Sequence, residues 1–174
     1  GCMRTTMRDF ARRSGPLFDR VEAARRWLAE HERSTGKVGV IGFCFGGGFA
    51  MLLAPMGGYA AASVNYGPLP KDAEDFLQTA CPIVASYGAK DRTLKGEADK
   101  LEDLLTRLDI DHDIKEYPDA DHGFMNDHSQ DSAPFILGVL SYFFGGDEAH
   151  IPSRDNARER ILTFFGKHLG TSTG

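Results

Sequence analysis

A short β-branched apolar run that empties into glycines constrains this chain more than any other feature. Lys37-Val38-Gly39-Val40-Ile41-Gly42-Phe43 shows no polar alternation, and Cys44-Phe45-Gly46-Gly47-Gly48 follows it directly. An apolar run without alternation suits a strand buried on both faces, as in a parallel sheet. The glycine-rich stretch reads as a sharp turn, and Phe49 to Pro55 as a buried helix after it. Strand, turn and helix in that order point to an α/β layout.

The rest of the chain agrees. Ala60 to Tyr66, Pro82 to Gly88 and Asp113 to Tyr117 read as further strands. Between and around them lie helical patterns. Val21 to Arg33 is expected as an amphipathic helix, with Val21, Ala24 and Leu28 on one face, Trp27 and His31 beside it, Asp19 as N-cap and Gly36 as stop. Gly96 to Leu108 carries Leu101, Leu104, Leu105 and Leu108 on one side. Phe135 to Phe144 is apolar enough for a helix. Asn156 to Leu169 reads as the last helix, with Ile161, Leu162 and Phe165 inward. The first twenty residues read as basic and irregular, broken at Gly15-Pro16. The expectation is a single α/β domain over residues 1–174 with a mainly parallel sheet flanked by helices, residues 1–18 forming an irregular lead-in.

Working residues in such sheets sit in the loops beyond the carboxyl ends of the strands, and three loops carry chemistry. Gly42-Phe43-Cys44-Phe45-Gly46 is the cysteine form of a nucleophile elbow, with glycines where neighbouring backbones come close. The helix that follows aims its amino end at the sulfur, which favours a thiolate. The N–H of Phe45 is then one half of an oxyanion hole. A phosphate loop would need Lys-Ser/Thr where Phe49-Ala50 stand, and the spacing is wrong for a dinucleotide fingerprint. A buried structural cysteine is the remaining alternative. Asp91 follows the third strand, where it can orient a histidine or simply cap its own turn. His122 follows the fourth strand and precedes Gly123. Asp119, Asp121, His122, Asp127 and His128 lie close in sequence, but their spacing matches no familiar metal motif. His31 and His168 fall on helices, His112 precedes a strand and His150 sits in a polar connection, which leaves His128 as a minor rival. Nucleophile, acid and histidine stand in the chain order of an α/β-hydrolase triad.

Gly42-Phe43-Cys44-Phe45-Gly46-Gly47, Gly88-Ala89-Lys90-Asp91 and Asp121-His122-Gly123-Phe124 together resemble the dienelactone hydrolase (carboxymethylenebutenolidase) family, from about Val21 to the last helix. The resemblance implies an α/β-hydrolase fold, with Cys44 as nucleophile, His122 as base and Asp91 as acid. It implies hydrolysis of an enol-lactone to maleylacetate in bacterial breakdown of aromatics, with no cofactor; the expected location, the cytoplasm, rests instead on cysteine usage. Two departures bear on this. The family places strands ahead of the segment matching Val21, carrying the second oxyanion donor and a regulatory glutamate. Gly1 to Pro16 is too short for them, so the chain reads as amino-terminally truncated. Founding members also carry a carboxylate-binding arginine where Asn126 stands. Ser129 to Asp155 is longer than the usual connection. Tyr66, Phe124 and Asn126 are further expectations for the pocket wall.

Composition removes other classes. A net charge of -5, from 20 Lys+Arg against 25 Asp+Glu, is the wrong sign for a nucleic-acid binder. No apolar run reaches the roughly 18 residues of a membrane span, and no signal-peptide pattern opens the chain. Three cysteines, none in a CxxC, fit a reducing compartment better than a disulfide scaffold or a zinc site. The expected partner is a small ester or lactone, with monomer and dimer both open. The alternatives are a non-catalytic or regulatory α/β module and a general carboxylesterase or thioesterase.

Overall fold

The computed structural model describes residues 2–126 and 150–170. Four strands form its sheet: β1 (Val38–Phe43), β2 (Tyr59–Asn65), β3 (Ile83–Gly88) and β4 (His112–Tyr117). All pairings are parallel, and the strands lie side by side in chain order, β1-β2-β3-β4. Parallel neighbours need crossovers. Here α3 (Phe45–Leu53) joins β1 to β2, α4 (Ala73–Phe76) lies between β2 and β3, and α5 (Glu97–Arg107) joins β3 to β4. Ahead of them come α1 (Cys2–Arg12) and α2 (Pro16–Glu30), and α6 (Ile151–Leu169) closes the described chain.

Helices cover both faces of the sheet. A Cβ on Gly39 would touch Phe165 and Leu169 of α6, whereas one on Gly42 would strike the start of α3. Residues three apart in a strand point to opposite faces, so α3 and α6 lie on opposite sides. The core joins Met51 of α3, Val64 of β2, Ile83 and Val84 of β3, and Leu101, Leu104 and Leu105 of α5. On the α6 side, the guanidinium of Arg160 donates to Asp113 Oδ1 at 2.7 Å and to Ser86 Oγ at 3.2 Å, tying the helix across β3 and β4.

Several sequence expectations change. The start of the chain is helical: α1 docks through Phe10 against Phe45 and Phe49, and Arg13 pairs with Asp72 while lying over the Phe76 ring. The first turn of α2 is capped from a distance by Asp9, whose Oδ2 accepts the Leu17 N–H at 3.2 Å. Asp19 lies inside that turn and makes no cap, Gly15 holds the N-cap position, and the helix ends at His31 rather than near Gly36. Its packed face is Phe18, Val21 and Ala29, which leaves Ala24, Trp27 and Leu28 exposed. The apolar run of β1 is not buried on both faces: Ile41 is 46% exposed and Phe43 40%. Among the described residues β1 pairs only with β2, and an apolar run reads alike at a sheet's edge and centre. In α6, Phe164 turns inward where Leu162 was expected, and Leu162 is 73% exposed. The expected helix over 135–144, Asp127 and His128 lie outside the described residues; Ile151 to Asp155 belong to α6.

Candidate active site

Cys44 sits between β1 and α3 with φ 54° and ψ -120°, a left-handed region that favours glycine. A non-glycine residue persists there only when its surroundings hold it. The Cys44 N–H donates to the Asn65 carbonyl at 3.0 Å, and the Asn65 side-chain amide donates to the Gly42 carbonyl at 3.1 Å. A Cβ on Gly42 would lie 1.8 Å from the Gly46 carbonyl oxygen, so the tightness of the turn excludes any side chain there. The result is a cysteine at the amino end of α3 that keeps part of its surface exposed.

The loops after β3 and β4 are stapled to each other. Ala89 N–H donates to the Tyr117 carbonyl at 2.9 Å, and Lys90 N–H to the Ala120 carbonyl at 3.0 Å. A Cβ on Gly88 would come within 2.5 Å of the Ala120 oxygen, so a bare backbone lets the two loops lie this close. Asp91 is buried, at 1% exposure. Its Oδ1 accepts the Thr93 N–H at 2.8 Å and the Thr93 hydroxyl at 2.6 Å, leaving Oδ2 for the histidine.

The structure brings Cys44, His122 and Asp91 together. His122 Nδ1 lies 2.6 Å from Asp91 Oδ2, and His122 Nε2 lies 3.1 Å from Cys44 Sγ. The hydrogen bond to His122 draws the Cys44 thiol below its usual range; burial opposes this, and the Phe45 N–H assists it. Burial works against an imidazolium at His122, but its bonds to Asp91 and Cys44 outweigh that and raise it to about 10. Burial likewise disfavours a charged Asp91, and the bonds from His122 and Thr93 overcome it, holding the carboxyl below its usual range. All three shifts favour the charged forms, a thiolate, an imidazolium and a carboxylate in series, in which Nε2–H would donate to sulfur and Nδ1–H to Oδ2.

The remaining expected residues fall into distinct places. Phe45 opens α3 with its ring against Phe10 at 4.7 Å. Tyr66 is fully buried, its ring 5.2 Å from the His122 ring, and its hydroxyl donates to Asn126 Oδ1 at 3.2 Å. Phe124, expected on the pocket wall, has no exposed surface and packs between Tyr66 and Tyr117 in the core. Asp121 accepts the backbone N–H of His122 and Asp119 lies 4.0 Å from Lys90, so neither carboxylate is bonded to the imidazole ring in place of Asp91. Among the described residues no group of three or more His, Cys, Asp and Glu is arranged to hold a metal ion. His31, His112, His150 and His168 have local partners in Arg33, Ile110, Ser153 and Asp111. No helix of the described residues is long and apolar enough to cross a membrane. Sequence reasoning missed Asn65 and Thr93. Thr93 had a signal, since an aspartate commonly accepts from the backbone two residues on; Asn65 had none.

Comparison with known proteins agrees with this architecture. The profile of the dienelactone hydrolase family matches residues 2–169. A candidate carboxymethylenebutenolidase of Yersinia pestis is 29% identical over 153 residues, covering 82% of this chain and 51% of its own length. A carboxymethylenebutenolidase homolog of Homo sapiens is 23% identical over 159 residues, covering 90% of this chain and 59% of its own. The chain thus spans about half the length of the curated relatives it matches. Among solved structures, an α/β-hydrolase enzyme from a Medee basin deep-sea metagenome library superposes with a TM-score of 0.63 at 17% identity, over 90% of this chain and 65% of that one. A thermophilic esterase of Thermogutta terrifontis gives 0.56 at 16% identity, over 87% and 64%. These likenesses show the α/β-hydrolase fold.

Proposed function

The chain belongs to the dienelactone hydrolase family, and on that premise we propose that it hydrolyses an activated ester or enol-lactone through covalent catalysis on Cys44. One observation carries the reading: the unbroken series from Sγ through the His122 ring to Asp91, at 3.1 and 2.6 Å, beyond the carboxyl ends of β1, β3 and β4 of one parallel sheet. Cys44 is the nucleophile, His122 the acid and base, and Asp91 the group that fixes the tautomer and stabilises the imidazolium.

The thiolate adds to the substrate carbonyl, and the Phe45 N–H donates to the oxygen that gains charge. The tetrahedral adduct collapses, the carbon–oxygen bond breaks, and Nε2–H gives its proton to the departing enolate or alkoxide. A thioester and a neutral imidazole remain. His122 then takes a proton from water, the hydroxide adds to the thioester carbonyl, and the sulfur leaves as thiolate beside a restored imidazolium. A stabilised enolate leaves well against a thiolate, which is itself a good leaving group. Activated esters therefore suit this site, and amides do not. The Asn126 side chain accepts from the Tyr66 hydroxyl and carries no positive charge for a substrate carboxylate.

The test is hydrolysis of p-nitrophenyl acetate by the purified protein and by Cys44→Ala. The variant is expected to lose nearly all turnover. A variant that keeps most of it removes Cys44 from the reaction.

A further inference from the structure

Two residues of the site share an unusual backbone. Cys44 directly follows β1 and Tyr66 directly follows β2, and the residues before them, Phe43 and Asn65, are register partners. Both have positive φ, 54° and 40°, where side chains are rarely tolerated. Both aim at the same imidazole: Cys44 Sγ meets Nε2, and the Tyr66 ring meets the His122 ring edge-on at 5.2 Å and 60°. Strain at an aromatic residue has to be held in place by its surroundings, and here those are visible. The Tyr66 N–H donates to the Ser86 carbonyl at 2.8 Å, its ring abuts Phe124, and its hydroxyl donates to Asn126. Phe124 and Asn126 belong to the same loop as His122, so Tyr66 grips that loop from inside while the ring braces the imidazole.

We propose that Tyr66 is a positioning residue, which holds the His122 ring at the angle where Nε2 faces sulfur and Nδ1 faces Asp91. This deepens the hydrolase reading and rests on it. Edge-to-face aromatic packing is directional, and an imidazole fixed only by Nδ1 still rotates about that bond. Full burial of Tyr66 leaves it no surface for a substrate, so its influence passes through His122.

The experiment compares wild type, Tyr66→Leu, Tyr66→Phe and Asn126→Ala. The first readout is pH titration of the Cys44 thiolate by its ultraviolet absorbance in a Cys2→Ala, Cys81→Ala background, which needs no turnover. The second is kcat and KM for p-nitrophenyl acetate. Losing the brace in Tyr66→Leu moves the thiolate midpoint to higher pH and lowers kcat about tenfold with little change in KM, as misplacing a catalytic group does. Tyr66→Phe keeps the ring and recovers most of both. Asn126→Ala, which frees only the hydroxyl and keeps the protein folded if Tyr66→Leu does not, shifts the midpoint slightly in the same direction. An unchanged midpoint in both Tyr66→Leu and Asn126→Ala overturns the proposal, as does a rise in KM alone. If wild type hydrolyses no ester yet the midpoint still shifts, the hydrolase reading fails while the brace stands.

Discussion

Cys44 and Cys81 lie at opposite ends of the same parallel sheet, and the fold treats them in opposite ways. Cys44 follows the carboxyl end of β1; Cys81 stands two residues before the amino end of β3, packed beside both hydrophobic clusters. Burial pushes the Cys81 thiol up to about 12. Cys44 also feels burial, but the bond to His122 wins and draws it down. The difference lies in which loops arrive. At the carboxyl ends, turns from β1, β3 and β4 converge and deliver the His122 ring to the sulfur. At the amino end, Cys81 meets apolar neighbours and donates its N–H to the Ala54 carbonyl.

The largest expected effect is on alkylation. A depressed thiol keeps its thiolate as pH falls and loses it only on passing the lowered value, so Cys44 is expected to react with iodoacetamide far ahead of Cys81 well below the usual thiol range of about 8.5. Above pH 10 the imidazolium loses its proton but the thiolate remains, so labelling does not decline. Cys81 is expected to label only on unfolding. Peptide mapping that finds equal labelling of both in the folded protein erases the contrast. Next comes the support of the cation: Asp91→Asn is expected to cost roughly 10²- to 10⁴-fold in ester turnover, by the behaviour of serine triads, and to shift alkylation of Cys44 to higher pH. An unchanged rate detaches Asp91 from the site. The smallest effect belongs to the other end of the sheet. Cys81→Ala is expected to cost about 1 kcal/mol in denaturant unfolding through lost packing, with turnover kept. A large drop in turnover gives Cys81 a part in the chemistry.

The two regions also differ in how far the sequence discloses them. The strands and the meeting of Cys44, Asp91 and His122 were readable, because each residue follows an apolar run and a turn whose spacing survives translation into three dimensions. What depends on contacts between distant segments was not readable. Nothing in the basic amino-terminal stretch announces that Phe10 would dock on Phe45 or that Asp9 would cap the next helix. The run of β1 carries no mark that Ile41 and Phe43 would stay exposed. Leu162 and Phe164 are both plausible core residues, and only the rotation of α6 decides between them. Tyr66 was visible as a residue near a strand end, but its φ of 40° accompanies a turn so close to α3 that a Cβ on Gly67 would lie 2.3 Å from the Gly47 carbonyl carbon.

Laying the strands down in chain order has a practical consequence. The sulfur follows β1, while the imidazole that draws its proton arrives seventy-eight positions later, beyond β4. Until β4 joins β3, the thiol at position 44 lacks His122 as a partner and is expected to react as an ordinary, sluggish one. Fast labelling in mild acid therefore counts finished molecules, giving a chemical stopwatch for assembly that needs neither substrate nor spectroscopy.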